Sequence, residues 1–146
     1  MRIEELYIEG FGHYSATPIG PFNSLVTVIF GPNEAGKSTL LAFIRTVLFG
    51  FPRGSSGHYP PLTGGRHGGR ITLADGGGNR YIVERFRGPH GGHVSLRTVD
   101  GAPVDSTHLS NLLGGASQDV FKNVFAFSLD ELQSPDTLQN ADVNSQ

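Results

Sequence analysis

"GPNEAGKST", residues 31–39, lies between the apolar run "SLVTVIF" (24–30) and the run "LLAFIRTVLFG" (40–50). Gly31, Gly36, Lys37 and Ser38 satisfy the spacing G-x-x-x-x-G-K-[ST] without mismatch, a pattern that carries weight only between a strand and a helix. Both contexts are legible. Residues 24–30 are rich in β-branched side chains and uncharged, the composition of a strand buried on both faces of a parallel sheet. From Ser38 onward Leu40, Leu41, Phe43, Ile44, Val47 and Leu48 recur at helical spacing, and Gly50 followed by Pro52 is a stop signal. A glycine-rich turn that matches by chance is the plain alternative, and the flanking elements weigh against it.

The chemistry follows from the residue types. Two glycines let the backbone curl so that successive amide N–H groups point inward as an anion nest, and a helix starting near Lys37 adds its positive dipole end. Lys37 supplies a point charge for the β- and γ-phosphates, and the Ser38 hydroxyl can ligate Mg²⁺. The expected nucleotide site therefore comprises Gly31, Pro32, Asn33, Glu34, Ala35, Gly36, Lys37, Ser38 and Thr39, holding a nucleotide's phosphates and Mg²⁺.

Bulk properties narrow the classes. At 146 residues the chain fits one domain. Eleven Lys and Arg against thirteen Asp and Glu give a formal net charge of -2, so no global positive field draws it to nucleic acid. The absence of cysteine removes disulfides, thiolate metal sites and cysteine nucleophiles together. Apolar runs such as "VFAF" are too short to cross a bilayer, and "MRIEELYIEG" lacks a secretory apolar core, which leads to the expectation of a cytoplasmic chain without membrane contact.

Along the chain, "RIEELYIEGF" alternates as a half-exposed strand ending at Gly10, and a turn-rich segment with Pro18, Gly20 and Pro21 follows. Residues 53–68 read as a loop. "GRITLAD", "NRYIVERFRG" and "HVSLRTVDG" then read as three short antiparallel strands, about 70–99, joined by glycine-rich turns. Ser106 or Thr107 is placed to cap a short helix through "HLSNLL", ended by Gly114 and Gly115, and Ser117 to cap a second, "QDVFKNVFAF". The tail from 134 to 146 is polar and aperiodic.

The first fifty residues, from the initiator Met through a "GF" turn to "GPNEAGKST", resemble the head domains of the structural-maintenance-of-chromosomes (SMC)-like ATPases, in the ABC-type ATPase class, and within it the bacterial YhaN group. Residues 70–133 match more loosely, through the "GGR" strand and "NVFAFSLDELQ". The resemblance implies an ATPase split in two: an N-terminal lobe over 1–133 carrying the P-loop, a coiled coil beginning beyond the 134–146 tail, and a C-terminal lobe with the signature and Walker B motifs. It implies ATP sandwiched between two heads that dimerise, and work in DNA repair or on chromosomes, with DNA contacted through the full protein. It gives Asn33 a place near the terminal phosphate and puts a Q-loop at "FSLDELQ" (127–133). Gln133 stands after the acidic pair rather than before a glutamate, so Asp130 or Glu131 is the alternative there. Relatives also carry a basic residue just after the first turn, where this chain has Gly12 and His13.

The expected fold is α/β, a P-loop NTPase N-terminal lobe with a small antiparallel sheet flanking the nucleotide. On this reading the chain alone binds nucleotide with little turnover. A rival reads "VFAFSLDE" as a Walker B strand delivering Asp130 to Mg²⁺ and Glu131 to water, which would make a self-contained small NTPase or kinase. A kinase would need an arginine-bearing lid, for which Arg53, Arg66 and Arg70 are the candidates. A GTPase has no NKxD motif here, and "DGGG" (75–78) matches DxxG only trivially. Arg66, Arg70, Arg80, Arg85, Arg87 and Arg97 make the middle third locally basic, as a DNA-backbone patch or as solvated strand edges. His90 and His93 read as exposed loop residues rather than metal ligands.

Overall fold

The structure, a computed structural model, describes residues 1–24, 26–54 and 58–121. The chain divides into two compact units, Met1–Gly115 and Ala116–Gln146. The first is built on a six-stranded sheet: β1 (Arg2–Phe11), β2 (Tyr14–Ile19), β3 (Gly68–Ala74), β4 (Arg80–Phe86), β5 (Val94–Thr98) and β6 (Pro103–Val104). The strand order is β2-β1-β3-β4-β5-β6 and every pairing is antiparallel. One helix of 13 residues, α1 (Lys37–Phe49), lies against β3 and β4, and a short α2 (His108–Leu112) follows the sheet.

Alternation decides which side chains meet the helix, because successive residues of a strand point to opposite faces. Register aligns Leu6 with Ile71, Ile71 with Val83 and Val83 with Leu96, so a single apolar row crosses four strands. All four are buried, together with Ile8, Leu73 and the α1 residues Leu40, Phe43, Val47 and Leu48. Phe43 reaches the sheet where β3 has no side chain: a Cβ on Gly69 would stand 3.1 Å from its ring. The Phe43 ring meets Phe11 edge-on at 5.6 Å between centroids, a favourable arrangement of aromatic quadrupoles.

The meander expected at about 70–99 is present as β3, β4 and β5, extended by β6. Its first turn explains "DGGG". Asp75 Oδ1 accepts from the backbone N–H of Gly77 (2.8 Å) and Asn79 (2.9 Å), and Oδ2 accepts from Asn79 Nδ2 at 2.9 Å. The carboxylate ties its own hairpin loop, and these bonds, that from the Asn79 side chain foremost, hold its pKa below the usual aspartate value. At α2 the cap differs in detail: Thr107 occupies the N-cap position without a side-chain cap bond, and Asp105 Oδ1 instead accepts from the Thr107 N–H (2.8 Å) and hydroxyl (2.6 Å). Within the second unit, Ser117 caps α3 (Gln118–Val120), its hydroxyl accepting from the Val120 N–H at 3.3 Å, and residues 122–127 of the expected helix lie outside the described residues.

Two expectations are corrected. The turn-rich segment around Pro18 is strand β2, paired with β1 so that Tyr7 faces Pro18. Proline is tolerated there because β2 is the edge of the sheet and owes no outward N–H to a neighbour. The run 24–30 is no buried strand: among its described residues none is assigned to a strand, and Val26, Val28 and Phe30 are 77%, 76% and 91% exposed. A strand buried on both faces needs neighbours on both edges, and every sheet pairing among the described residues is antiparallel and lies elsewhere. The α/β expectation therefore holds for the helix and the flanking antiparallel sheet and not for a parallel core.

Candidate nucleotide site

The loop 31–36 ends on Gly36, which has φ 93° and ψ 8° and serves as N-cap of α1. Glu34 also adopts a left-handed φ, 70°, and the Ala35 N–H donates to the Pro32 carbonyl at 3.2 Å. Left-handed residues alternating with others at a helix start are the backbone from which anion nests are made. Glycine is required at 36 for a second reason. A Cβ there would run into the His13 ring and stand 2.7 Å from the Tyr14 hydroxyl.

Lys37 folds back over this loop, its Nζ donating to the carbonyls of Gly31 and Pro32, each at 2.7 Å. The side chain is exposed, and among the described residues no carboxylate pairs with it. An ammonium held only by neutral carbonyls at the positive end of a 13-residue helix leaves its charge uncompensated, which suits a phosphate anion. Ser38 is exposed in the first turn of α1 beside it. Thr39 points the other way, toward the β1–β2 turn, where a Cβ on Gly12 would stand 2.8 Å from its methyl.

That turn is a contribution that spacing alone did not assign. Gly12 is clamped from its far side: its N–H donates to the Tyr59 carbonyl at 2.8 Å and its carbonyl accepts from the Leu62 N–H at 2.9 Å. Tyr59 stacks on Phe11 at 5.7 Å. The clamp delivers His13 and Tyr14, whose rings lie 4.1 Å apart, to the Gly36 edge of the phosphate loop. Partial burial raises the Tyr14 pKa, which keeps its hydroxyl a donor, and it makes a long contact of 3.5 Å to the Gly36 carbonyl. The position after the first turn, singled out in the sequence for a basic residue, is thus occupied by an imidazole against the loop.

The other sequence candidates separate. Arg66 and Arg70 are engaged by aromatic faces, Phe86 at 3.5 Å and Tyr7 at 4.2 Å, an arrangement unlike a lid over the loop. Arg85 is buried and structural, donating to the carbonyls of Val47 (3.0 Å) and Gly92 (3.1 Å). Arg80 joins Arg2 on Glu4, both at 2.6 Å, and these hydrogen bonds, the Arg2 one foremost, lower the Glu4 pKa. His90 and His93 are exposed, and among the described residues no three His, Cys, Asp or Glu side chains gather as a metal site. Asp130, Glu131 and Gln133, and with them the Walker B and Q-loop readings, lie outside the described residues, as does the tail 134–146. Among the described residues no helix is long and apolar enough to cross a membrane.

A glycine-hinged loop opening onto a helix, with a lysine folded over it, reproduces the loop-to-helix half of the P-loop motif, without a strand before it among the described residues. The family model described as AAA domain matches residues 1–138, and the chain belongs to that family. It is 33% identical over 133 residues to the uncharacterized protein YhaN of Bacillus subtilis (strain 168), covering 91% of this chain and 14% of that protein. It is 32% identical over 136 residues to the DNA double-strand break repair Rad50 ATPase of Methanopyrus kandleri (strain AV19), covering 82% of this chain and 15% of that protein. The chain thus spans a small part of the length of the curated relatives it matches. These similarities assign it to the N-terminal region of SMC-like ATPases, and ATPase-type nucleotide binding is the function they support.

Proposed function

We propose that the chain is the P-loop half of an ATPase head. It binds Mg²⁺-ATP through residues 31–39, and it hydrolyses ATP only when a C-terminal lobe and a second head complete the site. Lys37 and the loop amides would grip the phosphates, Ser38 would ligate the metal, Asn33 would approach the terminal phosphate, and His13 stands against the Gly36 edge of the loop. Bound Mg²⁺ would neutralise charge developing on the phosphates. The P-loop grips phosphate, but turnover also needs a group to position water and stabilise the developing charge.

The observation that carries the half-head reading is the exposed run Val26, Val28 and Phe30 leading into the loop. A contiguous apolar segment displayed to water marks a surface that another element covers. The C-terminal lobe of the same ATPase is the occupant we assign to it. The Rad50 relative is named for DNA double-strand break repair, and a role in DNA repair or chromosome-associated work is proposed for the complete protein on that likeness.

The test is calorimetric titration of Mg²⁺-ATP with phosphate release assayed on the same sample. Binding that is lost in Lys37→Ala, without turnover, is the expected result. Steady turnover abolished by Glu131→Gln would overturn the half-head reading in favour of a self-contained NTPase.

A further inference from the structure

Residues 58–67 cross the end of β1 as a strap. The crossing is close: a Cβ on Gly10 would stand 2.9 Å from the Gly64 carbonyl oxygen and 3.0 Å from the Pro61 ring. Two backbone hydrogen bonds fasten the strap to the β1–β2 turn, one from the Gly12 N–H to the Tyr59 carbonyl and one from the Leu62 N–H to the Gly12 carbonyl. Tyr59 makes its bond at φ 44°, in the left-handed region that is costly for a residue with a Cβ. A segment fastened at few points in a strained conformation opens more readily than the sheet beneath it.

Two imidazoles pin the strap. His58 is buried, its Nε2 directed at the Gly54 carbonyl, while its Nδ1 is buried without a hydrogen-bond partner among the described residues. His67 lies between the Phe11 and Phe51 rings, with backbone hydrogen bonds to His58 and Tyr59 and a buried Nε2 that likewise has no partner among the described residues. Each ring satisfies one nitrogen on the backbone and leaves the other bare, an arrangement that suits the neutral imidazole. A proton on the bare nitrogen places a cationic N–H where nothing accepts it. The surrounding charges do not relieve it. Arg87 and His58 both oppose a charge on His67, Glu9 of β1 is turned to the Arg66 N–H at 3.4 Å, and Arg85 of β4 is turned to the Val47 and Gly92 carbonyls.

We propose that the strap is a proton-operated brace for the phosphate loop: protonation of His67 releases residues 58–62 from Gly12, and the nucleotide site loosens with it. The route runs through the turn. Gly12, held by the strap on one side, meets the Thr39 methyl of α1 on the other, and the next two residues, His13 and Tyr14, stand against Gly36. Release removes two hydrogen bonds and the Tyr59–Phe11 stack, so the Gly36 edge and the first turn of α1 lose their support. This inference rests on the reading of residues 31–39 as a nucleotide site. Desolvation, foremost, lowers the His67 pKa, so the ring is neutral near pH 7 and release belongs to mild acid. By reciprocity, a bound nucleotide that favours the braced state disfavours the proton.

The experiment follows amide hydrogen exchange of the purified chain at about pH 7.5 and about pH 5.5, on either side of the ordinary histidine pKa, with Mg²⁺-ATP affinity measured by calorimetry at both. Each exchange rate is normalised to its intrinsic value. A free imidazole of pKa about 6.5 is protonated about ten to one at pH 5.5, so protection of the Gly12 and Leu62 amides is expected to fall severalfold, approaching tenfold. Protection of the β3 and β4 amides should hold. Mg²⁺-ATP affinity should fall with the clamp in the parent, and His67→Gln, which cannot take up the proton, should keep the protection and more of the affinity. His67→Phe, which fills the place with an apolar ring, should behave alike and serves if the glutamine variant does not fold. Titration of His13 and of ATP itself is common to parent and variants and drops out of the comparison. Clamp protection equal at the two pH values, or falling equally in the variants, overturns the proposal, as does simultaneous loss in β3 and β4, the mark of global unfolding. Clamp opening with an affinity loss no greater in the parent than in the variants overturns the coupling to the nucleotide. Absence of Mg²⁺-ATP binding at both pH values would strike the nucleotide reading instead, and exchange would still decide whether the strap opens.

Discussion

Arg85 Nε donates to the carbonyl of Val47 at 3.0 Å, joining β4 to the last turn of α1 across 38 residues of sequence. Nη1 reaches the Gly92 carbonyl at 3.1 Å and Nη2 the Leu48 carbonyl at 3.5 Å. A cation on the terminal carbonyls of a helix is favoured by the helix dipole, and it satisfies acceptors that the helix itself cannot. Burial pushes the Arg85 pKa down, yet an arginine stays charged at any physiological pH. Arg85→Leu leaves buried carbonyls without donors and is expected to cost about 2 kcal/mol. Urea unfolding of parent and variant reads the difference. Arg85→Lys should recover only part of it, because an ammonium lacks the planar fork. An unchanged midpoint in Arg85→Leu would show that the bond network contributes nothing.

Gly36→Ala tests the contact between the phosphate loop and the first hairpin. The alanine would be strained at φ 93° and its methyl would strike His13. A loss of about 1–3 kcal/mol is expected together with weakened ATP binding. His13→Ala in the same background should restore part of the stability by removing the obstacle. Thermal melts of the two variants decide it, and no recovery would mean that backbone strain alone accounts for the loss.

His67 should make stability fall in mild acid. It lies between Phe11 (5.3 Å) and Phe51 (4.8 Å), and desolvation, with the nearby Arg87 charge and His58, lowers its pKa from 6.5 although backbone hydrogen bonds to His58 and Tyr59 oppose the shift. A folded-state pKa below the unfolded one means that the unfolded chain binds the proton first. The contribution is therefore complete above about pH 6.5 and is lost as pH falls through the lowered value. Denaturant midpoints between pH 8 and pH 5, the span over which histidines change charge, should decline in the parent and decline less in His67→Phe. Parallel profiles for the two proteins would assign the acid sensitivity to another group.

Phe30→Ser discriminates between the exposed run observed here and a buried strand. With Phe30 91% exposed, the substitution should alter stability by no more than about 0.5 kcal/mol. Removal of a core phenylalanine would cost about 3–5 kcal/mol. A loss of that size on chemical unfolding of this chain would place the run inside its own core. If the proposed C-terminal lobe covers it, the same substitution should weaken association with that lobe, read by a binding titration.

The local elements were legible because their signals are local. Leu40, Phe43, Val47 and Leu48 form the buried stripe of α1, and Gly50 ends it, as their spacing alone requires. The meander β3–β5 could be read from alternating strands and glycine-rich turns, and "DGGG" turned out to belong to a hairpin held by Asp75. The run 24–30 misled because its composition describes what a strand needs around it rather than whether those neighbours are present. Pro18 obscured β2 because only the finished sheet reveals which strand is an edge.

By itself, then, the sequence determined the glycine-rich loop, its helix and the antiparallel meander, since periodicity, caps and turn chemistry act over a few residues. Tertiary structure decided that His13 and Tyr14 reach Gly36, that Arg85 closes the end of α1, and that Tyr59 and His67 meet at the Phe11 ring. Those relationships join residues far apart in the chain, and they exist only once strand register has set which side chains face one another.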